Sequence, residues 1–209
     1  RTEAYIAAIE RLTVGGATYW CGCTRREIAD SQIGPREATL EQRYLGTCRT
    51  GLPVGRSRRS MRVRVSDEPV AFEDIVQGPM TQSLEATSGD FIIRRADGPF
   101  AYQLAVVVDD AEQGITHVVR GADLLDSTPR QIHLQRLLEV PTPAYLHVPV
   151  VLDASGNKLS KQTFAAPIDA DHPATPLVRA LEFLGQDPPK SLGSATARTI
   201  WEWTRDHWQ

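Results

Sequence analysis

The 209-residue sequence predicts an α/β fold that includes part of a parallel sheet. Three successive segments of its second half lead to this prediction. Ile115–Val119 is a short apolar run typical of a buried strand, and Thr128-Pro129 begins a helix that extends to about Glu139. A second strand follows at Tyr145–Leu152. Apolar strands joined through a helix are typical of a parallel sheet that helices cover.

The first part of the chain predicts three helices and a strand. Residues 2–12 carry apolar side chains on one helical stripe, and Ala17–Cys21 reads as a short strand. Thr24 and Glu27 have the spacing of a capping box, which predicts a short helix after Thr24. Pro35 begins another helical piece that extends to about residue 43.

Loop and strand patterns follow up to residue 108. Residues 46–60 are rich in Gly, Pro and Arg and predict a loop. Met61–Val65 alternates apolar residues with arginine, which predicts a half-exposed strand, and Phe91–Arg95 predicts another strand. Phe100–Val108 is an apolar run that favours a helix, although a buried strand stays open.

The last part of the chain predicts a loop and two helices. The small residues 154–157 lead into Lys158 and Lys161. Thr175-Pro176 begins a helix that Gly185 ends, and a helix from Ser194 extends to about residue 208.

Net charge, apolar runs and cysteine count indicate the cellular compartment and the possible partners. The net charge is -3, and no apolar run approaches the roughly 20 residues that a membrane span needs. Six arginines and no acid lie between Arg49 and Arg64, a local patch that either binds phosphates or is a solvated face. The three cysteines are an odd number, and two of them are one residue apart, which indicates a reducing, cytoplasmic compartment.

The cysteines also offer ligands for a metal. Cys21 and Cys23 flank Gly22, Cys48 supplies a third thiol, and Tyr44 lies four residues before Cys48. Tetrahedral zinc needs four ligands, and a phenolate is an unusual fourth one because its ordinary pKa is near ten. The spacing leaves two interpretations open, a structural zinc site or small buried thiols beside a core tyrosine.

A second group of candidates surrounds the predicted parallel strands. Arg120 follows an apolar strand, where α/β sheets bind ligands, and its guanidinium suits a carboxylate. The alternative is an ion pair with Asp123 at the rim of the protein. Tyr102 is either a binding residue or part of the core. Lys158 and Lys161 fit either an anion-binding loop or a solvated hairpin tip.

Several motifs in order resemble one enzyme family. The strings "FEDIVQGP", "DFIIRRADGPFAYQLA", "AYQLAVVVDDAEQGITHVVRGADLLDSTPRQIHL" and "HVPVVLDASGNKLSKQ" look like the class I aminoacyl-tRNA synthetases of the glutamyl/glutaminyl group. The Lys-Leu-Ser-Lys string corresponds to the second signature of that class. The Cys-x-Cys and Tyr-x-x-x-Cys pattern, with a chain that ends 48 residues after Lys161, is similar to a shortened paralogue of the glutamyl-tRNA synthetases.

The resemblance implies a fold and a domain arrangement. It implies a Rossmann-like nucleotide-binding fold with an inserted α+β subdomain that carries zinc, and a short helical carboxyl-terminal region. Residues 1–12 would end the first Rossmann half, 13–99 form the inserted acceptor-type subdomain, 100–155 form the second half, and 156–209 form the lysine loop and terminal helices. The first signature, a His-x-Gly-His-like string, is absent from the sequence. We therefore expect the chain to lack the first strand of the fold and to be inactive alone.

The resemblance also implies site residues. Tyr102 and Arg120 would bind glutamate, Lys158 and Lys161 would be catalytic, and Lys161 would bind ATP. The zinc ligands would be Cys21, Cys23, Tyr44 and Cys48, with one structural zinc ion per chain.

The implied activity is a two-step ligase reaction. Glutamate reacts with ATP, supplied with Mg²⁺, to give glutamyl-adenylate, and the glutamyl group passes to queuosine in the anticodon of tRNA(Asp). We expect no membrane partner and a monomer. Two alternatives stay open, a fragment of an ordinary glutamyl-tRNA synthetase that charges tRNA(Glu), and a non-catalytic zinc-bearing RNA-binding module derived from a synthetase.

Overall fold

The computed structural model describes residues 1–30, 43–153, 155–159 and 167–208. The chain divides into two compact units, Arg1–His147 and Val148–Gln209. The helix predicted from Pro35 lies outside the described residues. The domain boundaries implied by the resemblance stay predictions.

The first unit contains both sheets and most of the helices. Its described elements are, in chain order, α1 (Thr2–Val14), β1 (Thr18–Cys21), α2 (Arg25–Asp30), β2 (Ser60–Val63), β3 (Val70–Asp74), β4 (Gly78–Gln82), α3 (Leu84–Thr87), β5 (Phe91–Arg94), α4 (Tyr102–Glu112), β6 (His117–Gly121), a 3₁₀ helix (Ala122–Ser127) and α5 (Thr128–Leu137). Strand β7 (Ala144–Val148) ends at the junction of the units.

The strands form two sheets. The first has three antiparallel strands in the order β1-β2-β5. The second has the order β4-β3-β7-β6, in which β3 is antiparallel to β4 and parallel to β7, with Asp74 opposite Tyr145. The sheet that the sequence predicted as parallel is therefore mixed.

One core joins these elements. Helix α1 buries Ala8, Ile9 and Leu12, which recur at the spacing of one helical face. They belong to the same cluster as Val63 of β2 and Leu104 of α4, which are both fully buried. Removing the side chain of a buried leucine such as Leu12 typically costs about 2–5 kcal/mol, because a cavity remains.

Capping contacts confirm the predicted start of α2. The Thr24 hydroxyl accepts a hydrogen bond from the Glu27 amide (3.3 Å), and the Glu27 carboxylate accepts one from the Thr24 amide (2.7 Å). This is the reciprocal pattern of a capping box. Helix α4 confirms the helical interpretation of the run from Phe100, although it begins at Tyr102.

Two exposure predictions were wrong. Strand β2 is buried along its whole length, and Arg62 is only 5% exposed, because β2 lies between β1 and β5. Strand β6 was predicted to be buried, but Val119 is 66% exposed. Since β6 is last in the order of its sheet, fewer neighbours cover it.

The second unit is helical around a small core. It contains α6 (Ala174–Phe183), a 3₁₀ helix (Lys190–Ser194) and α7 (Ala197–His207), which bury Leu181, Leu192 and Ile200 together. The predicted start at Ser194 was wrong, because Ser194 ends the 3₁₀ helix. Thr196 caps α7 instead and accepts the Thr199 amide at 3.2 Å.

None of the helices in the described ranges has the length and apolar character that crossing a bilayer requires.

Candidate functional site

The structure brings the three cysteines together. The Sγ atoms of Cys21, Cys23 and Cys48 all lie within 4.8 Å of one another, and Cys23 Sγ is 3.6 Å from Cys48 Sγ. Cys21 and Cys48 are fully buried. Ligands in a tetrahedral zinc-thiolate site are about 3.8 Å apart, because each Zn–S bond is about 2.3 Å long. The cluster therefore has the dimensions of a metal site.

Tyr44 lies beside the three sulfurs. Its hydroxyl oxygen is 3.5 Å from Cys21 Sγ and 3.9 Å from Cys23 Sγ. The Cys48 amide donates a hydrogen bond to this oxygen at 2.8 Å, as it would to a phenolate. The four residues named from the sequence thus meet at one point.

The pKa values of the cluster residues shift in opposite directions. Burial disfavours the Cys21 thiolate, but hydrogen bonds from Tyr44, from the Cys23 backbone and from Arg62 outweigh it and lower the pKa of Cys21 to about 7. Burial and the Cys48 thiol raise the pKa of Cys23 to about 11. Burial and Cys21 also raise the pKa of Tyr44. A cation would therefore have to displace the protons of Cys23 and Tyr44.

Neighbouring backbone fixes the cluster. Tyr44 forms an isolated parallel bridge with Gly89, which has a positive φ of 63°. A Cβ atom at residue 89 would collide with the Tyr44 carbonyl oxygen, so only glycine fits. The Arg62 guanidinium lies 3.7 Å from the centre of the Tyr44 ring and donates to the Asp90 carbonyl oxygen at 2.6 Å.

A basic pocket of ≈ 390 Å³ adjoins Cys48. Arginine and aromatic side chains dominate its lining, namely Tyr19, Trp20, Arg49, Arg58 and Arg64. The guanidinium of Arg58 lies 5.7 Å from the Trp20 ring centre, and that of Arg64 lies 4.8 Å from the Tyr19 ring centre. Arg49, Arg58 and Arg64 of the Arg49–Arg64 patch therefore line one cavity.

The structure also brings Arg120 and Tyr102 together. Arg120 lies near the end of β6, and Tyr102 is the first residue of α4. Arg120 Nη1 donates to the Tyr102 hydroxyl at 3.5 Å. Tyr102 is half exposed and is therefore not a core residue.

Three further residues complete this cluster. Arg120 Nε donates to His147 Nε2 at 2.9 Å, and Arg120 Nη2 donates to Thr128 Oγ1 at 2.7 Å. His147 Nδ1 lies 2.6 Å from Asp74 Oδ2. Helix α5 begins at Thr128, as the sequence predicted, and Ser127 precedes it as the N-cap.

Asp74 is a buried carboxylate that backbone amides stabilise. Burial disfavours its charge, but hydrogen bonds from the Gln77 amide and from the His147 ring and amide outweigh that effect and lower the pKa of Asp74. Sequence reasoning missed Asp74 and His147. A histidine inside the apolar run 145–152 was the available signal, since a buried imidazole needs partners.

The lysine loop belongs to the second unit. Leu152 and Lys158 form an antiparallel bridge, and Asp153 Oδ1 accepts the amides of Ser155 (2.8 Å) and Asn157 (2.9 Å). Lys158 is exposed beyond this tight turn. Lys161 lies outside the described residues.

The fold and these motifs define a class of protein. Residues 1–199 match the family described as tRNA synthetases class I (E and Q), catalytic domain. The chain belongs to this family, which confirms the resemblance and the α/β class I synthetase fold.

Within the family, the chain is similar over its whole length to relatives that share one name. Three curated relatives are named glutamyl-Q tRNA(Asp) synthetase. One from Aromatoleum aromaticum is 55% identical over 100% of this chain and 65% of its own length. Those from Dechloromonas aromatica and Geobacter sulfurreducens are 53% and 51% identical over 100% of this chain, and the chain covers 69% and 68% of their lengths. The chain thus spans about two thirds of these relatives.

Solved structures support the same fold. A glutamate tRNA ligase from Elizabethkingia meningosepticum, solved in complex with its amino acid, matches 79% of this chain and 37% of its own, with a TM-score of 0.62 at 22% identity. A glutamate-tRNA synthetase from Elizabethkingia anophelis matches 98% of this chain and 53% of its own, with a TM-score of 0.65 at 18% identity.

Proposed function

We propose that the protein containing this chain activates glutamate with ATP and transfers it to queuosine in the anticodon of tRNA(Asp). The observation that carries the proposal is the identity of 51% to 55% over the whole chain with relatives named for that activity. The alternatives, a fragment that charges tRNA(Glu) and a non-catalytic RNA-binding module, have less support. The three unpaired cysteines suit a cytoplasmic enzyme.

Arg120 and Tyr102 are the proposed glutamate-binding residues. Arg120 supplies a fixed guanidinium for a carboxylate, and the Tyr102 hydroxyl lies on the side of the guanidinium away from His147. The half-exposed position of Tyr102 keeps this group accessible to a small ligand.

The lysines are the proposed catalytic residues of the first step. A glutamate carboxylate oxygen attacks the α-phosphorus of ATP, and the bond to the β-phosphate oxygen breaks to release pyrophosphate. Negative charge accumulates on the phosphate oxygens and on the leaving group, so Lys158 and Lys161 would stabilise the transition state more than bound ATP. Mg²⁺ would accompany the ATP. In the second step a queuosine hydroxyl attacks the acyl carbon, which forms the ester and releases AMP.

The cysteine cluster is the proposed structural zinc site. Cys21, Cys23 and Cys48 offer three thiolates, and Tyr44 would be the fourth ligand. The spacing of the sulfurs and the orientation of the Cys48 amide toward the phenol oxygen support this set. Zinc here would stabilise a loop-rich region with little core of its own.

The arginine-lined pocket is the proposed contact for tRNA phosphates. Arg58 and Arg64 lie over aromatic rings, so charge and a stacking surface occur together.

The domain arrangement implied by the resemblance is also part of the proposal. The antiparallel sheet and the cysteines would form the inserted subdomain of residues 13–99, and α4 to β7 would belong to the second Rossmann half.

A labelling experiment tests the function. The full-length gene product is incubated with ATP, radiolabelled glutamate and one tRNA at a time: tRNA(Asp) with queuosine, tRNA(Asp) without queuosine, or tRNA(Glu). We expect label only on the queuosine-containing tRNA(Asp). Label on tRNA(Glu) would support an ordinary synthetase instead, and no label on any tRNA would support the non-catalytic module.

A further inference from the structure

We propose that Asp74 and His147 are positioning residues that hold the Arg120 guanidinium in place without neutralising its charge. The inference rests on the proposed role of Arg120 in binding glutamate and assigns a function to two residues that bind no substrate themselves. Both are buried, with Asp74 1% and His147 0% exposed, so they act through Arg120.

Two neutral acceptors hold one edge of the guanidinium. His147 Nε2 accepts the Nε–H of Arg120, and Thr128 Oγ1 accepts an N–H of Nη2. These two acceptor atoms are 3.2 Å apart, so together they match two adjacent donors on one edge of the planar group. The remaining N–H groups include the one that faces Tyr102.

The arrangement fixes the tautomer of His147. Because arginine has only donors, His147 Nε2 must carry a lone pair toward Arg120. The proton of the neutral ring then lies on Nδ1, which donates to Asp74 Oδ2 at 2.6 Å. The other oxygen, Asp74 Oδ1, accepts the backbone amides of Val76 (3.1 Å), Gln77 (2.9 Å) and His147 (3.2 Å). Backbone amides of the β3–β4 turn and of β7 therefore hold Asp74 in place, and Asp74 in turn fixes the tautomer.

The indirect arrangement preserves the positive charge of Arg120. Among the described residues, the hydrogen bonds of the Arg120 side chain go to His147, Tyr102 and Thr128 and not to a carboxylate. Asp110 is close enough for an electrostatic interaction, and Asp74 is separated from Arg120 by the imidazole ring. Since its hydrogen-bond partners are neutral, Arg120 keeps a positive potential for a ligand carboxylate.

Steady-state kinetics of the full-length gene product test the proposal. His147→Leu removes the acceptor, whereas His147→Gln keeps an acceptor oxygen near the Nε2 position. In glutamate-dependent ATP–pyrophosphate exchange, we expect His147→Leu to raise the glutamate KM on the order of 10–100-fold, because a hydrogen bond to a charged group is lost. The ATP KM should stay within about twofold of wild type, and His147→Gln should recover most of the loss.

The controls separate positioning from stability. His172 is exposed in the second unit, and His172→Gln should keep wild-type constants. Equal increases in both KM values for His147→Leu would indicate a general structural defect and overturn the proposal, and so would an unchanged glutamate KM.

A spectroscopic measurement tests the geometry independently of activity. Nitrogen-15 spectra of the histidine side chains should show His147 as the Nδ1–H tautomer, and Asp74→Asn should change that signature. An Nε2–H tautomer in the wild-type protein would overturn the inference. If the wild-type protein shows no glutamate-dependent exchange, the proposed function fails, and the tautomer still decides the positioning arrangement.

Discussion

At the scale of single residues, Arg62 shows how a buried cation stabilises an unusual cluster. Its guanidinium stacks on Tyr44 and donates to the Asp90 carbonyl oxygen, and it also stabilises the Cys21 thiolate. The alternation of arginine and apolar residues in β2 suggested an exposed arginine, because sequence periodicity does not reveal what covers a strand.

The metal ligands can be tested one at a time. Protein purified without chelator should contain about one zinc ion per chain. We expect Cys48→Ala to lose it, because three ligands would remain, and Tyr44→Phe to weaken binding measurably in a competition assay with a chromophoric chelator. Tyr19→Phe is the matched control, because the Tyr19 hydroxyl donates to Asp90 and not to the cluster. Full zinc content in Cys48→Ala would contradict the ligand set.

The lysine loop can be tested by charge removal. In the full-length gene product, Lys161→Ala should reduce glutamate-dependent exchange by orders of magnitude, and Lys158→Ala should have a smaller effect, since both cations stabilise developing phosphate charge. Lys190→Ala, an exposed lysine in the same unit, is the control. Exchange near the wild-type rate in Lys161→Ala would remove that residue from the site.

At the scale of elements, the bridge between Tyr44 and Gly89 links the cysteine cluster to the start of β5. Gly89→Ala should destabilise the fold and lower zinc content, because the new Cβ meets the Tyr44 backbone. Gly114→Ala is a matched control, since Gly114 has a similar φ of 66° and open space around it. The control should cost about 1–2 kcal/mol in urea unfolding. An equal cost at both positions would contradict the steric argument.

Helix α5 carries a histidine that makes stability depend on pH. His133 Nε2 lies 2.7 Å from the Arg64 carbonyl oxygen, and burial lowers the pKa of His133 below its ordinary value of 6.5. As the pH falls below 6.5, the unfolded chain binds a proton first, so stability decreases as the pH falls through the pKa of the folded state.

The conservative variant isolates this effect. His133→Gln keeps a donor for the Arg64 carbonyl oxygen and does not titrate. Between about pH 7.5 and pH 5.5, wild type should lose more unfolding free energy than the variant, by at most about 1.4 kcal/mol per pH unit. Urea unfolding at both pH values measures the difference, and identical losses would contradict the assignment.

The elements that the sequence predicted well have local causes. The stripe of α1 and the capping box of α2 depend on residues within one or two turns, and both helices are present. The hairpin of β3 and β4 was missed, because its short strands are specified by distant contacts such as the pairing of Asp74 with Tyr145. Tyr102 and Arg120 were found as single candidates, whereas their link through His147 requires the tertiary fold.

At the scale of the whole molecule, a mildly acidic chain carries a concentrated basic region. The net charge is -3, yet Arg49, Arg58 and Arg64 line one pocket. Binding that depends on this pocket should therefore weaken with salt, even though the chain as a whole does not attract polyanions.

Salt titration measures that contribution. For the full-length gene product and tRNA(Asp), Arg58→Ala should reduce the slope of log affinity against log salt concentration by about 1. Arg95→Ala is the control, because Arg95 pairs with Asp97 in a surface turn. An unchanged slope in Arg58→Ala would place the RNA elsewhere on the surface.

The close approach of two sulfurs has a practical consequence for handling this protein. Cys23 Sγ and Cys48 Sγ are 3.6 Å apart, so little movement separates them from a covalent cross-link. We expect chelator-treated samples to form a disulfide between Cys23 and Cys48 in air. Such samples should then bind no metal until a reductant is added. A bound ion would protect the thiols, and preparations that lose it would need a reductant before they could bind metal again.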